Sequence, residues 1–151
     1  MKLSTRSRYG VRFMLDLALH AAKGPVQLGA VARRQGIGVK YLEQIASRLK
    51  KADFIISVRG PKGGHLLSRP PEEITVAEVV TLLEGGLKLA GCSNGDGECD
   101  RWERCVTRVI WAEAAQAFLE KLEAINLKDL MDRVACVGSP EECDEAEDHK
   151  P

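Results

Sequence analysis

The chain has 151 residues, 44% of them hydrophobic, which is enough for one domain with a core or for a small domain with an appendage. Cationic residues at positions 2, 6, 8 and 12 interrupt any early apolar run, and no apolar stretch approaches the length of a membrane span. We therefore expect a cytoplasmic protein with no membrane partner.

The net charge of zero hides a strong asymmetry between the two halves of the chain. Residues 1–71 contain 14 Lys and Arg against three acidic residues, whereas residues 72–151 contain 8 against 19. A basic half of this kind is typical of polyanion-binding proteins, although a basic face without a partner has the same composition. We expect double-stranded DNA as the partner.

Three helices are predicted in the basic half. The first begins at a cap, Ser4 or Thr5, and runs to about residue 22, where Gly24 and Pro25 end it. The second covers residues 28–35, and a glycine-containing turn at 36–38 leads into a third over residues 39–52. Two short helices joined by such a turn match a helix-turn-helix, and the alternative is an ordinary amphipathic pair.

The third helix has an apolar face and a polar face. The apolar residues recur at three- and four-residue spacing, namely Val39, Leu42, Ile45, Ala46 and Leu49. The opposite face carries the side-chain types that recognise base edges and phosphates, namely Lys40, Glu43, Gln44, Ser47, Lys50 and Lys51. This helix is the predicted recognition helix.

A β-hairpin is predicted directly after the recognition helix. Residues 54–58 are rich in β-formers, 59–64 form a basic glycine turn with Arg59 and Gly60, and 65–68 return as a strand. We expect a phosphate contact or plain solvation for His65. Thr75 with Glu78 predicts a capping box for one more helix. The predicted fold is therefore mainly α (α+β), with a winged helix-turn-helix domain over residues 1–84.

A long helix is predicted over residues 102–125. Its apolar stripe consists of Val106, Val109, Ile110, Ala114, Ala117, Phe118, Leu122 and Ile125. Because such a helix has little of its own chain to pack against, we expect it to dimerise with a second copy. Asn126 can cap a short final helix over 127–134, and together residues 102–134 form the predicted dimerisation unit. The acidic tail, residues 135–151, is expected to be disordered.

Cys92, Cys99 and Cys105 lie close together, the first two within a polar, glycine-containing loop over residues 85–101. Thiolates suit iron–sulfur clusters or zinc, and thiols stay reduced in the cytosol. Five cysteines in all is an odd number, which argues against a closed disulfide framework. The alternatives are three incidental thiols, or one disulfide with a spare thiol.

The chain resembles the IscR/NsrR/CymR family of bacterial winged-helix transcription regulators, and its IscR branch most. The likeness covers about residues 1–134. The matching stretches are Ser7-Arg8-Tyr9-Gly10, Met14 to Leu19, Tyr41-Leu42-Glu43-Gln44, Ser57-Val58-Arg59-Gly60-Pro61, Gly63-Gly64 and the three cysteines.

The resemblance implies a homodimeric DNA-binding repressor with a [2Fe–2S] cluster on Cys92, Cys99 and Cys105, controlling iron–sulfur biogenesis genes. Assembly proteins would donate the cluster. The DNA-binding residues that it implies are Lys40, Glu43, Gln44, Arg59 and Gly60. The alternatives are an NsrR-like nitric oxide sensor with a [4Fe–4S] cluster, or a zinc-stabilised interaction protein. CymR-like members lack the cysteines. The sequence contains no recognisable acid/base pair, phosphate-binding loop or nucleophile motif. We therefore do not expect an enzyme.

The fourth cluster ligand does not transfer from the resemblance. IscR-like members have a His where this chain has Arg108, and a guanidinium cation does not bind iron. NsrR-like members use an Asp near the N-terminus, where Arg8 stands here. The local candidates are Asp96, Glu98, Asp100 and Glu103, and the tail candidates are Cys136 and Cys143. We expect a carboxylate within residues 96–103, because a local donor needs no long-range ordering of the tail.

Overall fold

A computed structural model describes residues 3–86 and 104–137, with side chains as far as residue 135. Cys92, Cys99, the four candidate carboxylates and Cys143 lie outside the described residues, as do residues 138–151 of the acidic tail. Nothing in the described part of the chain has the length and apolar character of a membrane-crossing helix.

The described residues form six helices and one hairpin. The helices are α1 (Thr5–His20), α2 (Leu28–Gln35), α3 (Val39–Lys51), α4 (Val76–Glu84), α5 (Val106–Glu123) and α6 (Leu127–Val137). The antiparallel strands are β1 (Ile55–Val58) and β2 (Gly64–Leu67). Short 3-10 turns follow α1 and precede α4. The order helix, helix, turn, helix, hairpin confirms the predicted winged helix-turn-helix.

The core lies where α1, α3 and α4 meet. The largest fully buried side chains there include Phe13, Met14, Leu17, Leu42, Ile45, Leu49, Val79 and Leu83. Val39, predicted to face inward, is instead 43% exposed. It occupies the first turn of α3, where its helical position lies at the margin of the buried stripe rather than at its centre.

The end of α4 is tied to the start of α1. The Glu84 carboxylate accepts a hydrogen bond from the backbone N–H of Ser4 at 2.8 Å and another from the Ser7 hydroxyl. Burial would raise the pKa of Glu84, but these bonds hold it below its ordinary value. The two helices approach closely at Gly10, where an added Cβ would lie 2.0 Å from Leu83 Cδ1. These contacts hold the C-terminal end of α4 against α1.

The far end of α5 is joined to the winged domain by main-chain hydrogen bonds. The Val76 N–H donates to Ile125 O at 2.8 Å, and the Leu127 N–H donates to Ile74 O at 3.0 Å. The predicted cap of α6 is present, because Asn126 and Asp129 each accept the other's backbone N–H at 2.9 Å. This junction fixes where α5 ends.

The apolar residues of α5 belong to two faces rather than one stripe. Phe118, Leu122 and Ile125 pack against Val76 and Val80, so the prediction that α5 has little of its own chain to contact is wrong for its C-terminal half. On the opposite face, Val106, Val109 and Ile110 are 79%, 48% and 53% exposed. One face of α5 therefore packs against α4 of the same chain, and the opposite face is exposed to solvent.

Candidate nucleic-acid interface and cysteine site

The outer face of α3 presents polar side chains in the arrangement that the sequence predicts. Leu42, Ile45, Ala46 and Leu49 are buried, which turns the opposite side of the helix to solvent. Lys40, Glu43 and Gln44 are exposed on that side, in the first two turns. A recognition helix contacts base edges with its N-terminal residues, so these three side chains are in the appropriate place.

The tip of the wing is narrow because glycines allow a tight turn. Gly60 has φ +110°, and the Gly63 N–H donates to Gly60 O at 2.9 Å. A Cβ on Gly63 would lie 2.2 Å from Val58 O, so no larger residue fits without a shift of the backbone. Arg59 and Lys62 are exposed on this thin turn. The tip is therefore cationic and slim enough for a DNA groove.

The wing is bonded to the segment that precedes α2. His65 O accepts from the Val26 N–H at 2.9 Å, and the His65 N–H donates to Val26 O at 2.8 Å. A Cβ on Gly64 would lie 2.5 Å from the Val26 backbone, so the close approach depends on glycine. The Gln27 amide also donates to Pro61 O at 3.3 Å. These bonds hold the wing in place beside the helix-turn-helix.

Two concave surfaces flank the wing, and the sequence did not predict either. One groove of about 280 Å³ separates α3 from the strands and is lined by Leu28, Glu43, Ala46, Ser47, Lys50, Ser57 and His65. A cleft of about 520 Å³ lies beside the tip, with His20, Lys23, Arg34 and Lys62 among its lining residues. The hairpin register pairs Ser57 with His65, but the groove also depends on the position of α3, which local sequence patterns do not give.

Cys105 stands immediately before α5, at the N-terminal end of an 18-residue helix. Its Sγ lies 3.2 Å from the Thr107 hydroxyl. That hydroxyl, and next the backbone N–H of Arg108, hold the pKa of the Cys105 thiol below its ordinary value, and the Arg108 charge acts in the same direction. The site favours a thiolate, which is the form that binds metals.

The donor chemistry at Cys105 fits an iron–sulfur cluster or zinc. Three cysteine thiolates are a soft donor set, and the described member of the set is stabilised as a thiolate. Within residues 3–86 and 104–137 there is no group of three His, Cys, Asp or Glu side chains able to bind a metal ion. The described residues thus bring the recognition helix and the wing together, and bring Cys105 to the start of α5.

Comparison with known proteins agrees with this architecture. The model of the Rrf2 family, described as iron-dependent transcriptional regulators, matches residues 3–133. The chain is 46% identical to the protein rrf2 of Nitratidesulfovibrio vulgaris Hildenborough over 131 residues, 87% of each chain. It is 42% identical to the HTH-type transcriptional regulator IscR of Sodalis glossinidius over 87% of this chain and 79% of that protein.

Solved structures give the same result. IscR of T. potens superposes with a TM-score of 0.74 at 34% identity, covering 100% of this chain and 94% of that one. CymR of B. subtilis, the global cysteine regulator, superposes with a TM-score of 0.74 at 30% identity, covering 88% and 98%. These relatives are regulators and not enzymes, as the sequence predicted. The chain belongs to the Rrf2 family of iron-dependent transcriptional regulators.

Proposed function

We propose that this regulator is a cytoplasmic homodimer that binds specific operator DNA, mainly as a repressor, and responds to an iron–sulfur cluster. The observation that carries the proposal is the exposed polar face of α3 beside a cationic wing, in a chain whose Cys105 opens α5. Membership of an iron-dependent family supports it.

The proposed DNA contacts divide between two grooves. Gln44 and Glu43 face the base edges of the major groove, where Gln suits adenine and Glu suits cytosine. Arg59, next to Gly60, enters a narrow minor groove, where the negative potential is concentrated. Lys40 and Lys51 are exposed on α3 and contact phosphates, which position the protein without specifying sequence.

The proposed dimer uses the outward face of α5. Val106, Val109 and Ile110 are exposed there over consecutive turns. A second copy related by a two-fold axis would bury this face and place two winged domains on the half-sites of a palindromic operator.

The proposed cluster is of the [2Fe–2S] type and is held by Cys92, Cys99 and Cys105. Held by these residues, the cluster would link the cysteine loop to the start of α5 and would supply a group that iron supply and oxidants can change. Arg108 stabilises the Cys105 thiolate by charge and leaves the fourth position to a carboxylate within residues 96–103. Iron–sulfur assembly proteins donate the cluster, and biogenesis genes are the regulated targets.

We propose that the cluster regulates DNA binding by shifting the balance between two conformations of the dimer. Occupancy of the cysteine site orders residues 92–105 and the start of α5, which selects one spacing of the two winged domains. A ligand shifts such an equilibrium only through different affinities for the two states, so cluster-bound and cluster-free protein must differ in operator preference.

Anaerobic purification followed by iron, sulfide, zinc and absorption measurements tests the cluster, and fluorescence anisotropy with selected operator duplexes tests the DNA. We expect iron and sulfide in equal amounts, a [2Fe–2S] spectrum, and a cluster-dependent change in operator affinity. A [4Fe–4S] spectrum that is lost on exposure to nitric oxide would favour the nitric oxide sensor. Stoichiometric zinc without sulfide would contradict the iron–sulfur proposal.

A further inference from the structure

The groove between α3 and the wing brings hydrogen-bond donors together from two separate elements. Ser47 and Lys50 come from α3, and Ser57 and His65 come from facing positions of β1 and β2. The groove measures about 280 Å³, enough for one tetrahedral anion with its water. A lysine ammonium, two hydroxyls and an imidazole match the acceptor oxygens of a phosphate.

The His65 ring is held in a defined orientation. Its Nδ1 lies 3.2 Å from the Ser57 hydroxyl, and its ring meets the buried Phe13 ring edge-on, with centroids 6.3 Å apart. The backbone on either side is fixed by the paired bonds to Val26. Among the described residues, Nε2 has no hydrogen-bond partner, so it is available to a ligand in the groove.

The charges around His65 set its protonation in the free protein. Burial lowers the pKa of the imidazole, and the positive charge of Lys50 lowers it further. Both effects favour the neutral imidazole before any ligand binds. An anion in the groove acts in the opposite direction to Lys50, since it stabilises the imidazolium form.

We propose that the groove seats one backbone phosphate of the operator between Lys50 on α3 and His65 on the wing, and that His65 takes up a proton as the phosphate enters. The inference rests on the proposed DNA-binding function. A helix in the major groove and a wing in the adjacent minor groove have one phosphate strand between them, and that strand passes this groove. The proton comes from solvent, and no bond in the DNA changes.

Glu43 also lines the groove, and its carboxylate opposes an anion. The proposed cytosine contact directs Glu43 towards the base edges and away from the phosphate. Glu43 and Lys50 are the charged groups of α3 that face His65 across the groove, and the α1 side contributes the neutral Phe13 ring. With Glu43 directed away from the groove, binding of the phosphate should be measurable as a net uptake of protons.

Linkage fixes the sign of the pH dependence. Operator affinity rises as the pH falls through the pKa that His65 has in the complex, and it levels off below the lower pKa of the free protein. The limit for one linked proton per protomer is about tenfold per pH unit in the affinity of each half-site. The contribution disappears at pH values above the pKa that His65 has in the complex.

The experiment uses the anaerobic holoprotein and its selected duplex at constant ionic strength. Titration calorimetry in buffers of different ionisation enthalpy measures proton uptake, and anisotropy measures affinity between pH 6 and 8.5. We expect uptake approaching one proton per protomer for the wild type and none for His65→Gln. The matched control is His20→Gln, since the His20 ring is bonded to Asp16 O at 2.8 Å, outside the groove. It should keep the uptake.

A scan of uncharged methylphosphonate substitutions along the duplex identifies the phosphate. One position in each half-site should weaken wild-type binding and remove its proton uptake, and the same position should have little further effect in His65→Gln. Uptake that is zero in the wild type, unchanged in His65→Gln, or indifferent to every methylphosphonate would overturn the inference. The two wild-type measurements, proton uptake and its response to methylphosphonates, decide the matter even if His65→Gln does not fold. Absence of preferred duplex binding would instead overturn the proposed function.

Discussion

Asp16 on α1 is 1% exposed, and its carboxylate is bonded to the Arg34 guanidinium on α2, with Arg34 Nε 3.0 Å from Oδ2. The Gln35 amide adds a hydrogen bond at 2.9 Å to the same oxygen. Burial would raise the pKa of Asp16, but the bonds from Arg34 and Gln35 and the charge of Arg34 hold it below the ordinary value. The Asp16–Arg34 pair therefore holds α2, the first helix of the helix-turn-helix, against α1.

Asp16→Asn should lower the free energy of unfolding at pH 7 by about 1.5–3 kcal/mol, typical for hydrogen bonds to a charged group. Because the folded pKa is depressed, the wild-type advantage is complete above about pH 4 and disappears as the pH falls through the folded pKa. Urea unfolding at fixed protein concentration from pH 7 to pH 2.5 measures it. Asp132→Asn is the control, since Asp132 is 61% exposed. A constant difference at all pH values would contradict the prediction.

Gln44→Ala should cost about 1–3 kcal/mol on the preferred operator and relax base preference at one position of each half-site, because a bidentate adenine contact is lost. Lys51→Ala should weaken specific and random duplexes alike and flatten the salt dependence. Anisotropy at several salt concentrations compares the two variants. Equal losses on specific and random DNA for Gln44→Ala would remove Gln44 from the base-reading set.

A charge on each face of α5 should have a different effect. Ile110 is 53% exposed on the outward face, so Ile110→Asp should produce a folded monomer. Phe118 packs within its own chain, so Phe118→Asp should lower the free energy of unfolding by about 2–4 kcal/mol. Light scattering and thermal circular dichroism separate the outcomes.

The control for the two α5 variants is Gln116→Asp, which adds the same charge to an exposed position beside the outward face. It should remain a stable dimer. If Ile110→Asp also remains a dimer, the interface lies elsewhere.

Replacing Cys92, Cys99 or Cys105 with Ala should abolish the visible absorption of the anaerobic protein, because each supplies one thiolate to the proposed cluster. Far-ultraviolet circular dichroism should change little, since the core of the winged domain includes none of them. Single replacements of Asp96, Glu98, Asp100 and Glu103 should identify the fourth donor. If only a Cys136→Ser/Cys143→Ser double variant shifts the spectrum, the donor is a tail thiol.

Arg108→His should place an imidazole where the IscR-like regulators have a ligand. We expect a shifted spectrum and slower bleaching in air, because an imidazole would replace the proposed, more displaceable carboxylate donor. Arg108→Gln, which removes the charge without adding such a ligand, should bleach at least as fast as the wild type. Faster bleaching of Arg108→His than of Arg108→Gln would contradict this arrangement.

The winged domain could be predicted because short-range chemistry marks its boundaries. The predicted second helix, 28–35, coincides with α2, which ends at Gly36 in the left-handed conformation. The Thr75–Glu78 capping box is present as predicted and begins α4. Such signals depend on a few neighbouring residues and do not require knowledge of the tertiary fold.

The remaining features depend on contacts between distant residues. The spacing of Val106, Ile110 and Phe118 is helical in every case, but it does not reveal which face meets α4 and which faces outward. The groove around His65 needs the hairpin register and the position of α3 together. The cysteine positions predict a metal site, but the sequence does not indicate that the Thr107 hydroxyl lies beside Cys105.

The hydrogen bonds between Val76 and Ile125 and between Ile74 and Leu127 have a mechanical consequence. They make a pivot at one end of α5, while Cys105 stands at the other end of an 18-residue helix, about 27 Å away. A tilt of about 5° around that pivot displaces the Cys105 end by about 2 Å. We therefore expect that a small displacement at Cys105 would need only a small rotation of α5 relative to the DNA-binding domain.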